Sequence, residues 1–147
     1  MMLNTNRTDK GNTIFIPNHS YGDFILGSNI NDYLSKEHTK ETYEESTFSN
    51  ISYYFPKENV NVWCDTDGII NTIICSSTCI YHGRNLIGIK YEDFLSLISK
   101  YPDCEDVIYL LVAGRGQNQH VYDFDSEGLQ VWVWRKKIRT VLIYRNE

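Results

Sequence analysis

A chain of 147 residues, 41 % hydrophobic and 22 % charged, is long enough to bury one ordinary globular core without disulfide or metal staples. Its formal net charge of −5 excludes the broad basic surface that nonspecific nucleic-acid binding requires. No apolar run approaches the length of a membrane span and Met1 to Asn12 is polar, so neither membrane insertion nor a secretory leader is expected. The cytoplasm is then the expected compartment, with Cys64, Cys75, Cys79 and Cys104 as reduced thiols.

Residues 1–12 read as a disordered lead and residues 13–147 as a single domain. Ile14, Phe15 and Ile16 ahead of Pro17 suggest a short edge strand. Asn29 is positioned to cap a short helix whose Ile30, Tyr33 and Leu34 share one face, with Asp32 in the first turn where the helix dipole favours a negative charge. From Lys36 to Ser46 the apolar rhythm is lost, which fits either a solvated helix extension or a mobile loop. Ile51 to Phe55, Val60 to Cys64 and Ile69 to Cys75 read as strands, with Asp67-Gly68 as a hairpin turn. Cys79 to Tyr81 and Leu86 to Ile89 flank a further turn at Gly83. Tyr91, Phe94, Leu95 and Ile98 define a second helix that stops before Pro102. Val107 to Ala113 is β-prone, Gly114 to Gln119 reads as a polar loop, and His120 to Phe124, Leu129 to Trp134 and Ile138 to Tyr144 form a meander.

The spacing of Leu26-Gly27, Ile30, Asp32, Tyr33 and Leu34 returns about 60 residues later as Ile87-Gly88, Tyr91, Asp93, Phe94 and Leu95. The acidic turn around Gly68 is echoed around Gly128. The expected fold is therefore α+β: an antiparallel sheet with two short helices on one face, arranged as two tandem helix-plus-strands repeats at about 24–83 and 85–145 that share one core. The spacing leaves open whether one sheet runs through both repeats.

Few residues suggest catalysis. Cys75, Cys79 and His82 invite a zinc reading, but an extended four-residue spacing puts the two sulfurs about 13 Å apart, and only a turn at Ser76-Ser77 would bring them together. Asp65, Asp67 and Gly68 open like a calcium loop, yet Ile69 and Ile70 stand where oxygen ligands belong. No metal and no cofactor is expected. His19 and His120 are the pair from which a metal-independent ribonuclease site would be assembled, since such sites are defined in space. Gly114-Arg115-Gly116 precedes a strand, whereas phosphate-binding glycine loops precede a helix. The remaining signals concern partners. From Asp23 to Asp67 nine acids face three bases, including Glu37, Glu41, Glu44, Glu45, Asp65 and Asp67, and such a surface attracts a basic partner. Trp132 and Trp134 share one strand face, so they are either core or an interface anchor.

Asn85-Leu86-Ile87-Gly88 leading into Tyr91-Glu92-Asp93-Phe94-Leu95, and Phe124-Asp125-Ser126-Glu127-Gly128-Leu129-Gln130-Val131-Trp132 leading into Lys137-Ile138, resemble small bacterial immunity proteins. These are the cytoplasmic antidotes of polymorphic toxins such as those of contact-dependent growth inhibition. The resemblance covers roughly the C-terminal half. It implies a non-enzymatic protein that neutralises a cognate toxin, with a basic nuclease domain as the expected class, by surface fit. A small ligand-binding or regulatory module is the alternative, and the ribonuclease comes third.

Overall fold

The computed structural model describes residues 14–43 and 50–145. The expected lead at 1–12 and the acids Glu44 and Glu45 lie outside the described residues.

Three short strands, β1 (Phe15–Ile16), β2 (Ser20–Tyr21) and β3 (Phe24–Ile25), form a small sheet and lead into a 3-10 turn at Ile30–Tyr33. A meander follows: β4 (Thr39–Tyr43), β5 (Asn50–Phe55), β6 (Val60–Cys64) and β7 (Ile70–Cys75). The hairpin β8 (Ile80–Tyr81) and β9 (Arg84–Asn85) then precedes helix α1 (Tyr91–Ile98). A second meander closes the chain: β10 (Cys104–Val112), β11 (Arg115–Phe124), β12 (Leu129–Trp134) and β13 (Lys137–Tyr144). The two meanders join through their last strands into one eight-stranded antiparallel sheet, in the order β10-β11-β12-β13-β7-β6-β5-β4.

Alternation along the strands decides which face is buried. On β6, Val60, Val62 and Cys64 point inward, and on β12, Leu129, Val131 and Val133 do the same. Against this face pack Phe15, Tyr21 and Phe24 from the small sheet, Ile30 and Tyr33 from the 3-10 turn, Leu86, and Phe94 from α1, in one cluster drawn from both halves. Phe94 meets Phe124 edge-on at 5.6 Å and both are fully buried. Truncating Phe94 would cost about 3–5 kcal/mol, because the helix holds the sheet chiefly through that side chain.

Both helical segments are pegged to the sheet by backbone bonds. The Gly27 amide donates to Ile70 and the Ile30 amide to Gly68, while the Gly88 amide donates to Ile138 and the Tyr91 amide to Lys136. The last of these satisfies a helix N-terminal donor that Lys90 does not cap with its side chain.

Several expectations are corrected. Among the described residues there is one α-helix, not two: Ile30–Tyr33 is a single 3-10 turn. Its apolar face is one turn long, and the chain is drawn away when Thr39–Tyr43 pairs with β5, in a stretch expected to be helix extension or loop. Gly114 to Gln119 is not a loop. Ala113 and Gly114, both at positive φ, make a two-residue hairpin turn, and pairing between β10 and β11 resumes at Arg115. The echo between Gly68 and Gly128 also does not hold. Gly68 lies in the turn between β6 and β7, whereas Gly128 follows a 3-10 turn between β11 and β12. The second-half turn that occupies the place of Gly68 is Arg135–Lys136, between β12 and β13.

Gly128 has φ +58, and a Cβ there would overlap the Tyr144 carbonyl. Gly83 has φ +78, and a Cβ there would meet nothing within 4 Å. Gly83→Ala should therefore cost only the left-handed backbone penalty of about 1–2 kcal/mol, and Gly128→Ala should cost clearly more in urea denaturation. Equal losses would mean that the β12–β13 edge yields to the methyl group.

Candidate functional site

The eight-stranded sheet has a second face, and among the described residues no helix or accessory strand packs on it. Trp63 on β6, Ile74 on β7, Leu142 on β13 and Trp132 on β12 form a part-exposed apolar band across four neighbouring strands. Trp132 donates its indole N–H to Gln130 (2.6 Å). Beside it Val121 is 2 % exposed without belonging to the main core, so this face has a small packed centre of its own. Gln119, buried on the same face, leaves its Oε1 without a hydrogen-bond partner. An unmet buried acceptor costs about 1–3 kcal/mol.

The sequence-predicted residues fall unevenly around this face. Trp132 is on it. Trp134, two residues on, carries the Arg135 guanidinium 4.4 Å from its ring centre and that of Arg139 at 5.4 Å. Glu41 pairs with Ser52 at the β4 edge of the same face and is exposed. Five strand spacings, about 24 Å, separate it from Trp132, which is within the width of a standard protein interface. Glu37 and Asp67 are exposed in connecting segments. Asp65 has a structural task, since its Oδ1 accepts from the amides of Asp67 (2.9 Å) and Ile69 (3.0 Å) and shapes the β6–β7 turn. Trp63, Ile74 and Leu142 were not singled out from the sequence, although in Val60 to Cys64 the alternation already puts Trp63 opposite the core.

The opposite side of the β11–β12 region holds a cavity of about 670 Å³. Tyr91, Tyr122, His120, Asn118 and Val133 form its inner wall, and Lys90, Trp134, Arg135, Lys136 and Lys137, with Glu92, line the rest. The Tyr91 and Tyr122 rings stack at 4.1 Å and 13°, and His120 lies parallel to Tyr122 while pairing with Glu105 at 2.9 Å. Arg135 and Lys136 both have positive φ (53° and 68°) in the β12–β13 turn. Such turns favour Asn-Gly or Asp-Gly, and each bulky residue held there costs about 1–2 kcal/mol. His19, the proposed partner of His120, is not among the cavity's residues.

The thiols correct a distance argument. The chain bends at Ser76 and Ser77, so Cys75 and Cys79 do not lie along an extended strand, and the Cys75 thiol donates to the Thr78 carbonyl (3.1 Å) beside Cys79. Among the described residues no group of three His, Cys, Asp or Glu is arranged to hold a metal. Burial, reinforced by Cys75, pushes the Cys79 thiol well above its usual range, and burial raises Cys64 likewise. Cys104 is exposed and hydrogen-bonded to Asp123 (3.3 Å), which holds its proton on.

No protein-family model matches the chain, and no curated protein or solved structure matches it.

Two measurements check these assignments. In the native protein at pH 8 a thiol reagent should label Cys104 first and more slowly than an ordinary exposed cysteine, whereas the unfolded chain should titrate as four thiols. Burial also raises the phenols of Tyr21, Tyr91 and Tyr144 above their usual 10.0. A raised folded-state pKa contributes stability that is fully present below the unfolded value and lost as pH rises. Unfolding free energy should hold to about pH 9 and decline above pH 10, with a shallower decline in Tyr91→Phe. A decline of unchanged slope would mean that the Tyr91 phenol does not contribute to it.

Proposed function

We propose that the protein is a stoichiometric inhibitor, an immunity protein that binds and neutralises a cognate antibacterial toxin, with a basic nuclease domain as the expected target. It acts by occlusion and not by catalysis, in the cytoplasm of the cell it protects. The observation that carries this reading is the band of Trp63, Ile74, Leu142 and Trp132 on a sheet face that no described element covers. Trp132 and Trp63 flank Leu142 and Ile74 in this band, and part-desolvated tryptophans are residues on which protein interfaces concentrate their affinity. The acidic edge at Glu41, with Glu37, Asp67, Glu44 and Glu45, supplies the long-range attraction that brings a basic partner to that patch.

The two halves, one a three-stranded sheet, a 3-10 turn and a four-stranded meander and the other a hairpin, an α-helix and a four-stranded meander, are further proposed to descend from one duplicated unit. The matched pegs at Gly27 and Gly88 support this. Under that reading the duplication created the wide sheet that the partner uses.

The direct test is co-expression with the product of a neighbouring larger gene, scored for rescue of growth and for a 1:1 complex. Trp132→Ala and Trp63→Ala should each weaken that complex by about 2 kcal/mol or more, roughly 30-fold in Kd, with unfolding transitions close to wild type. Reversing Glu41, Glu44 and Glu45 to Lys should slow association and flatten its salt dependence, since exposed charges are screened over about 8 Å at physiological salt. If both tryptophan variants neutralise like wild type while the complex still forms, the interface lies elsewhere.

A further inference from the structure

The cavity beside α1 stands apart from the open face, and its chemistry runs against the rest of the chain. The protein carries a net charge of −5, yet four of its 14 Lys and Arg residues line this one cavity, with Glu92 as the single carboxylate among the lining residues. None of the four makes an ion pair with a carboxylate among the described residues. Two of them, Arg135 and Lys136, occupy a turn whose backbone favours Asn and Gly. Arg135 has a compensating contact in the Trp134 ring beneath its guanidinium (4.4 Å), whereas Lys136 has no ion pair or ring contact among the described residues, and at the edge of a cavity an anion supplies that gain.

The inner wall specifies what carries that anion. Tyr91 covers one face of Tyr122 (4.1 Å, 13°) and His120 lies parallel to Tyr122 at 6.2 Å, so this wall is aromatic. Asn118 adds an amide. The Tyr91 hydroxyl is buried behind this wall and takes no part in the cavity surface. The cavity volume of about 670 Å³ is in the range of small-molecule sites.

We propose that this cavity binds a phosphorylated aromatic molecule of the nucleotide class, with its phosphate among Lys90, Lys136 and Lys137 and its ring against the Tyr122–His120 wall. The site uses residues other than the open-face tryptophans, so it stands or falls independently of the inhibitor reading. The same chemistry is offered by a free mononucleotide and by the phosphorylated end of an oligonucleotide.

Calorimetric titration of the full chain at low salt tests this with the four ribonucleoside monophosphates, the matching nucleosides, inorganic phosphate and a 5′-phosphorylated oligonucleotide. At least one monophosphate should bind 1:1 with a Kd in or below the millimolar range, and at least tenfold more tightly than its nucleoside or inorganic phosphate. Equal binding of the oligonucleotide identifies a nucleic-acid end as the source, and its exclusion identifies the free nucleotide. The double variant Arg135→Asn/Lys136→Gly relaxes the turn, so its Tm should rise while affinity falls at least tenfold, a combination that a purely structural role does not produce. Failure of every monophosphate to bind wild type at millimolar concentration overturns the proposal, as does undiminished binding by the relaxed-turn variant.

Discussion

The structure depends on the antiparallel pairing of β7 with β13, where Thr72 to Cys75 run against Tyr144 to Val141. This seam converts two four-stranded meanders, each with an exposed hydrophobic face, into one sheet with a continuous buried side. Its register is tightly constrained, because a slip of one residue would turn Ile73, Cys75, Val141 and Ile143 out of the core. Once the seam is set, the Gly27 and Gly88 amides, bonded to the neighbouring strands at Ile70 and Ile138, bring the 3-10 turn and α1 onto the same side. All of the covering layer is thereby spent on one face.

The open face follows from that asymmetry. A sheet of eight strands with one covered side presents a wide surface, and here it is surfaced with Trp63, Trp132, Ile74 and Leu142 where Thr, Lys or Glu would serve solubility alone. Edge strand β10 adds a second apolar feature, with Tyr109 63 % and Leu111 70 % exposed and only Glu105 and Asp106 near one end to guard it. A long exposed edge of this kind is a template for pairing. Both surfaces suit a protein that works by docking.

The cavity beside α1 arises from the join between helix and hairpin. The carbonyl of Lys136 receives the Tyr91 amide, so the strained turn is also the anchor of the helix start. The corresponding position in the first half is Gly68, whose carbonyl receives the Ile30 amide from a glycine at φ +86. The two halves thus use one backbone device, with flexible chemistry in the first and cationic chemistry in the second.

Alternation and turn residues in the sequence determined most strands and the start of α1, because these are local consequences of side-chain period and backbone preference. Asp65 and Gly68 announced their turn for the same reason. What only the tertiary structure decided was non-local. The polar stretch Thr39–Tyr43 became a strand because β5 offered it a ladder, a partner invisible to periodicity. The helix expected at Ile30 is a single 3-10 turn, and the chain enters the β4 pairing at Thr39. Cys75 and Cys79 met because the chain bends between them, which a straight-strand distance does not foresee. Trp132 was legible as an alternating aromatic, but its place beside Trp63, Ile74 and Leu142 depends on strand order, and strand order is fixed by the β7–β13 seam between segments some 70 residues apart.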